Sequence, residues 1–99
     1  MDIEKLIKES VLDQDHLADV LKGNESSSKA IKNRIKELVE TGLIQIYTYK
    51  DNKILSLSKN EAISILSDSK SWEWDAIKNK NNYFLTPVKN SSGGLAYGN

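Results

Sequence analysis

The sequence contains no cysteine, and this absence excludes disulfide bonds, thiol chemistry and cysteine-based zinc sites. It also has no apolar run approaching the roughly 18 residues that a membrane-spanning helix requires. The polar, acidic start, MDIEKLIKES, lacks the apolar segment of a signal peptide. These absences predict a cytoplasmic protein that has no membrane partner.

Sequence motifs for catalysis are missing as well. We find no serine–histidine–aspartate set, no glycine-rich phosphate loop and no HExxH motif. The single histidine, His16, is interpreted as a surface residue. The acidic pair Asp13 and Asp15 is interpreted as favourable charge near a helix N-terminus, and Glu73 and Asp75 as a solvated segment. We therefore expect no enzymatic activity, no cofactor and no metal site.

The net charge is zero, which argues against a surface that binds polyanions indiscriminately. The charge is nevertheless uneven along the 99 residues, whose number is typical of one domain. With Lys and Arg counted as +1 and Asp and Glu as −1, residues 1–25 carry −4, residues 26–36 carry +4 and residues 50–59 carry +2. Two basic segments therefore stand out in a neutral chain.

Apolar residues at helical spacing predict three helices in the first part of the chain. The first covers residues 2–12. Asp13 is expected to cap the second, which ends near Lys22. One of the serines at 26–28 is expected to cap the third, and Gly42 to end it.

The third helix has two faces on a helical wheel of about 100° per residue. Its apolar side chains occupy one arc: Ile31, Ile35, Leu38 and Val39. Its basic and amide side chains occupy another: Lys29, Lys32, Asn33 and Lys36. Because the major groove of B-DNA admits a helix and displays acceptors that Lys and Asn can bind, this pattern is typical of a DNA-recognition helix. Arg34 lies between the two faces and is expected to pair with an acid of the first or second helix, or to reach phosphate.

After Gly42 the apolar residues alternate as in β-strands, which predicts a hairpin. Asp51-Asn52 suits a two-residue turn, and this turn pairs Thr48 with Leu55. The register assigns one face to Ile44, Ile46, Leu55 and Leu57, and the other to Tyr47, Tyr49, Ile54 and Ser56. Ser58 and Glu61 fit a capping box, so a fourth helix is expected from about residue 59. Further on, NYFLTPV is expected to be a short extended piece.

The stretches HLADVLK and SSSKAIKNRIKELVETGLI resemble the helix-turn-helix of winged bacterial and archaeal regulators of the MarR, ArsR and PadR kind. The matching positions are Leu17, Ala18, Leu21, Ile31, Ile35, Leu38, Gly42, Leu43 and Ile44. The resemblance covers about residues 13–57, and the turn over residues 22–28 is longer than is usual in these families. It implies homodimers that place the third helix in the major groove and the wing tip at the backbone or minor groove.

We therefore predict an α+β, mostly α fold: a winged helix-turn-helix, with a three-helix core and a two-stranded β-wing, followed by an additional C-terminal helix. Residues 1–58 would form the DNA-binding domain, residues 59–89 a helix and extension for dimerisation, and residues 90–99 a flexible tail. The expected DNA-binding residues are Ser27, Ser28, Lys29, Lys32, Asn33, Lys36, Lys50, Asn52 and Lys53. The expected dimerisation residues are Ile63, Leu66, Trp72, Trp74 and Ile77.

The predicted function is sequence-specific binding of double-stranded DNA as a small transcriptional regulator, most simply a dimeric repressor. One alternative is an architectural or plasmid-partition adaptor that spreads along DNA. Another is a winged-helix module for protein–protein interaction, which the exposed Tyr47, Tyr49 and Ile54 would favour. The sequence does not indicate whether a small-molecule effector binds.

Overall fold

The computed structural model describes residues 2–73, 82–89 and 92–97. Within them the chain is an α+β protein with four α-helices and a three-stranded antiparallel sheet. The helices are α1 (Ile3–Leu12), α2 (Leu17–Leu21), α3 (Ser28–Glu40) and α4 (Lys59–Leu66). The strands are β1 (Ile44–Lys50), β2 (Lys53–Ser56) and β3 (Tyr83–Pro87). None of these helices combines the length and the apolar character needed to cross a membrane.

The start of α2 differs from the prediction. Asp13 ends α1 instead of capping α2, and Gln14 follows in the left-handed region with φ +54°. The cap of α2 is His16, whose Nδ1 accepts a hydrogen bond from the backbone N–H of Ala18 at 3.0 Å. His16 is buried with its ring against Phe84, so its interpretation as a surface residue is wrong as well.

The third helix ends where predicted, but an additional turn of 3₁₀ helix precedes it. A 3₁₀ turn, Glu25–Ser27, precedes α3, and Ser27 stands at the N-cap position without a side-chain capping bond. At the other end Gly42 has φ +78°. The N–H groups of Gly42 and Leu43 bond back to carbonyls of the last turn at 3.0 and 2.9 Å. This closure needs a left-handed residue, which glycine adopts at little cost, and it directs the chain into β1.

The hairpin has the predicted register. Asp51 and Asn52 adopt φ +52° and +63°, as a two-residue type I′ turn requires, and Thr48 pairs with Leu55. The N–H of Leu57 donates to the carbonyl of Ile46 at 2.9 Å, beyond the end of β2.

The short extended piece predicted over NYFLTPV is confirmed as β3, but its place in the sheet was not predicted. In place of a two-stranded wing, β3 pairs antiparallel with β1, so the strand order is β2-β1-β3. β3 is also joined to the loop before α2, because the N–H of Leu85 donates to the carbonyl of Asp15 at 3.0 Å. The sequence pattern for β3 is short. Because β3 pairs with a strand far away in the sequence, no turn motif could predict this pairing.

The C-terminal elements share one core with the first three helices. Ser58 and Glu61 form the predicted capping box at the start of α4. A 3₁₀ turn, Ser69–Trp72, follows α4. The buried apolar side chains form a single cluster: Ile7, Val11, Leu17, Val20, Ile31, Ile35, Leu38, Val39, Ile44, Ile46, Ala62, Leu66, Trp72, Leu85 and Tyr97. The segment predicted to be a separate dimerisation region therefore contributes side chains to the core of the same chain.

Residues 92–97, expected to belong to a flexible tail, pack against the rest of the chain. The N–H of Ala96 donates to the carbonyl of Val88 at 2.7 Å, and Tyr97 is buried beside α1. The Lys8 ammonium lies 5.7 Å from the centre of the Tyr97 ring. This segment therefore covers part of α1.

Candidate nucleic-acid interface

The outward side of α3 carries both cations and an amide. Lys29 and Asn33 are exposed, whereas Lys32 and Lys36 are half-buried at one border of this side. The four predicted core positions of α3 are all buried. Asn33 therefore lies near the centre of the exposed stripe and Lys29 at its border, both in the first half of the helix.

The second half of α3 is less basic than the predicted face implied. Glu37 and Glu40 are exposed there, and neither was included in the predicted face. Arg34 is occupied by ion pairs, at 2.5 Å to Glu4 of α1 and at 3.5 Å to Glu37. The expectation that Arg34 pairs with an acid of the first or second helix is confirmed. Positive charge is thus concentrated at the N-terminal half of α3, the half that contacts base edges in helix-turn-helix proteins.

Lys32 has a specific neighbour that the sequence did not reveal. Its ammonium lies 5.6 Å from the centre of the Trp72 ring, within the range of a cation–π interaction. Trp72 is buried, and its indole N–H donates to the carbonyl of Leu66 at 3.1 Å. Lys32 therefore already has a partner within the chain, and Lys29 and Asn33 are the more accessible groups.

The serines before α3 are partly enclosed. Ser27 and Ser28 are half-buried, while the neighbouring Glu25 is exposed and accepts a hydrogen bond from the N–H of Gly23 at 3.3 Å. A carboxylate next to the helix start would repel a phosphate. These serines are consequently weaker candidates for phosphate contact than the lysines.

The hairpin tip exposes Lys50, Asn52 and Lys53. Lys50 and Lys53 pair with each other, and alternation places both on the face that carries Ile46. Ile46 is fully buried in the core that this face shares with α3. Both predicted basic groups of the hairpin therefore lie on the same face of the sheet as the helices.

The opposite face of the sheet is neutral and aromatic. The rings of Tyr47 and Phe84 stack at 5.2 Å, and Tyr49 meets both edge-on at 5.7 and 5.8 Å. Burial, and then the neighbouring Tyr49, raise the pKa of the Tyr47 hydroxyl. Tyr49 and Ile54 remain 51% and 63% exposed. We call the side chains of Tyr47, Tyr49, Ile54 and Phe84 the aromatic face.

A second cluster joins α1, α3 and the C-terminal segment. The Tyr97 hydroxyl and the Arg34 guanidinium both donate to the Glu4 carboxylate. The hydrogen bond from Tyr97 is the main cause that lowers the pKa of Glu4, with Arg34 adding to it. Burial, and then Glu4, raise the pKa of Tyr97. Arg34 is therefore a structural cation and not a free group of the basic surface.

The expected dimerisation residues have mixed positions. Leu66 and Trp72 are buried within the chain, and Ile63 packs against the same core. Trp74 and Ile77 lie outside the described residues. Three of the apolar side chains that suggested a dimer interface, Ile63, Leu66 and Trp72, therefore pack in the core of the same chain.

Around His16 and the nearby acids, the described residues form no group suited to hold a metal ion. Over residues 2–73, 82–89 and 92–97, no three His, Cys, Asp or Glu side chains converge on a point where a metal ion could sit. Burial, and then the charges of Asp13 and Asp19, raise the pKa of Asp15. Its backbone joins β3, so its position is explained by the sheet.

Three important residues were missed from the sequence: His16, Phe84 and Tyr97. Phe84 alone had a signal, because Tyr83, Phe84 and Leu85 form a short aromatic and apolar run that is typical of a strand. The comparisons with known proteins add no relative: no protein family, no curated protein and no solved structure matches this chain.

Proposed function

We propose that this chain is a winged helix-turn-helix protein that binds double-stranded DNA with sequence preference and acts as a small transcriptional regulator. In this proposal α3 lies in the major groove, where Lys29 and Asn33 contact the DNA first. The hairpin tip contacts the backbone or the minor groove. The element order supports it: two helices, a turn, a partly basic helix and then a hairpin.

One observation carries the proposal. The exposed Lys29 of α3 and the exposed tip residues Lys50 and Lys53 belong to the side of the sheet that packs against the helices, whereas the other side carries the aromatic face. Lysines on α3 and at the hairpin tip would give this side groups that can contact a phosphate backbone. Asn33 adds a side chain that can bond an adenine through two hydrogen bonds.

Fluorescence anisotropy with labelled duplexes tests the proposal. We expect binding to the DNA upstream of the protein's own gene at about 50 mM salt, and weaker binding to a random duplex of equal length. Absence of binding to either duplex at that salt concentration would refute it, because even non-specific electrostatic binding is measurable there.

A homodimer is part of the proposal, since two-fold symmetric proteins read symmetric operators. Leu66 and Trp72 are too deeply buried to form its interface. Light scattering at micromolar concentration should give twice the 11.1 kDa mass of the chain. A monomeric mass with DNA binding intact would exclude the dimer and keep the DNA-binding proposal.

A protein-binding module is the second candidate, favoured by the aromatic face with Ile54 and Tyr49 more than half exposed. In that case the partner would bind with little dependence on salt, unlike DNA. The two functions use opposite faces of the sheet and are therefore compatible.

A further inference from the structure

β2 leaves the sheet earlier than β1 does, and a cavity results. The N–H of Leu57 bonds to the carbonyl of Ile46 at 2.9 Å. In the same register Lys59 would lie opposite Ile44, but Ser58 caps α4 and the chain turns away. β1 thus has no strand beside Ile44 on this side.

The vacated space is a cavity of about 90 Å³ between the end of α3, the start of β1 and the start of α4. Its walls are mainly apolar side chains: Val39, Ile44, Ile46, Leu57 and Ala62. An engineered cavity of about 150 Å³ in another protein admits benzene, so this one has room for roughly four carbon atoms.

Polar groups also border this space, including Gln45, Lys59 and the backbone of β1. Residues of β1 alternate in the side to which they direct their backbone groups, and the carbonyl of Ile46 points to the β2 side. The backbone groups of Ile44 therefore point to that side as well. Lys59 also lines the cavity and is exposed, so its ammonium can lie at the mouth. Within the described parts of the chain Lys59 forms no ion pair.

We propose that this cavity binds a short, branched aliphatic carboxylate, with the hydrocarbon chain against Val39 and Ala62 and the carboxylate between the Lys59 ammonium and the Ile44 N–H. An apolar wall with one cation at the rim matches an amphiphilic anion of this size. The carboxylate stays at the mouth, where it remains partly hydrated. A bound ligand would fix the start of β1 relative to α4.

Isovalerate (3-methylbutanoate) is the probe, followed by amide NMR shifts of the full chain without DNA, so that the outcome is independent of the proposed function. We expect saturable shifts at Gly42, Ile44 and Ala62, with a dissociation constant on the order of 1 mM. The alcohol of the same carbon skeleton, 3-methylbutan-1-ol, should bind at least about tenfold more weakly, because it lacks the charge.

Variants at the mouth and in the wall complete the test. Lys59→Gln should weaken isovalerate about tenfold and leave the alcohol unchanged, while Lys53→Gln, at the hairpin tip, should change neither. Ala62→Leu should abolish binding of both by filling the cavity. If Ala62→Leu does not fold, the Lys59→Gln comparison still decides. Absence of saturable shifts at the cavity amides up to about 20 mM isovalerate, twenty times the expected constant, or equal effects of Lys53→Gln and Lys59→Gln, would overturn the proposal.

Discussion

The two faces of the β-sheet have opposite chemistry although they are built from the same strands. The face toward the helices is apolar at its base, with Ile44 and Ile46 buried, and ends in Lys50 and Lys53 at the tip. The aromatic face has no charged side chain, and β3 contributes Phe84 to it. Strand alternation separates the two groups, so a single hairpin has a lysine-bearing tip on one face and an apolar surface on the other.

The aromatic residues of the hairpin stabilise the fold itself, whether or not a partner binds them. Tyr47 is buried under Phe84, whereas Leu55 on the helix side is 44% exposed, because the tip extends beyond the helices. Alternation along the sequence identified the inward face, since Ile44 and Ile46 are buried, but it did not predict that Phe84 of a distant strand covers Tyr47.

The largest effect is expected from Phe84→Ala. Phe84 contacts Tyr47, Tyr49 and His16, so its removal opens the aromatic face and weakens the cap of α2. We expect a loss of about 3 kcal/mol in the free energy of unfolding, measured by urea denaturation. Leu55→Ala on the other face is the control and should cost less than about 1 kcal/mol, since Leu55 is already partly in water. Equal losses for the two variants would contradict the assigned roles of the faces.

Asn33→Ala extends the comparison to α3. Asn33 is exposed at the centre of the outward stripe, so we expect its loss to relax the preference for one base pair by about 1–3 kcal/mol. Anisotropy with duplexes substituted at single positions measures this. Asn60→Ala, an exposed asparagine on α4, is the control and should leave the preference unchanged. If Asn33→Ala discriminates between duplexes as the unmodified protein does, Asn33 does not read bases.

The double variant Lys50→Ala with Lys53→Ala tests the charged tip. The slope of log K against log[salt] should become shallower by up to about two units per protomer, as about 0.9 is lost per phosphate contact. Base preference should stay the same. The matched change on the aromatic face, Tyr49→Ala with Ile54→Ala, should leave the slope unaltered. If only the Tyr49→Ala, Ile54→Ala variant had a shallower slope, the aromatic face and not the lysine tip would contact phosphate.

The smallest effects concern two carboxyl groups with opposite pKa shifts. The pKa of Glu4 is lowered, chiefly by the hydrogen bond from Tyr97, so its stabilisation is present above its ordinary pKa of about 4.3 and is lost as the pH falls through the lowered value. The pKa of Asp15 is raised, chiefly by burial, so its contribution is favourable below its ordinary pKa of about 3.9 and is lost as the pH rises through the raised value.

Glu4→Gln should therefore destabilise the protein by about 0.5 kcal/mol at pH 7, because Glu4 is partly exposed, and by less near pH 3. Asp15→Asn should be neutral or slightly stabilising at pH 7. Urea denaturation at both pH values measures the two variants side by side. A stabilising Glu4→Gln or a destabilising Asp15→Asn at pH 7 would show that the signs are wrong.

Local signals in the sequence predicted the elements that are determined locally. The end of α3 at Gly42, the hairpin register around Asp51-Asn52 and the capping box of Ser58 all follow from a few adjacent residues, and each is confirmed. They also predicted the apolar side of α3 and the exposure of the tip lysines.

The predictions that failed depend on residues far apart in the chain. His16 packs its ring against Phe84, and Tyr97 lies against Glu4 and Lys8. The partner of Lys32 is Trp72, forty residues later. None of these pairs has a periodic or turn-based signature, so single-sequence patterns carried no information about them.

The strand order also has a consequence for synthesis of the chain. β1 is the central strand, but its partner β3 ends 37 residues after β1 does. At about 5–20 residues per second, β1 exists for about 2–7 s before β3 has been translated. During that interval one edge of β1 has open hydrogen-bonding groups beside Tyr47 and Tyr49, and it can pair with another nascent chain. Slower translation of the Lys- and Asn-rich stretch before β3 would lengthen that exposure and increase aggregation without changing the folded protein.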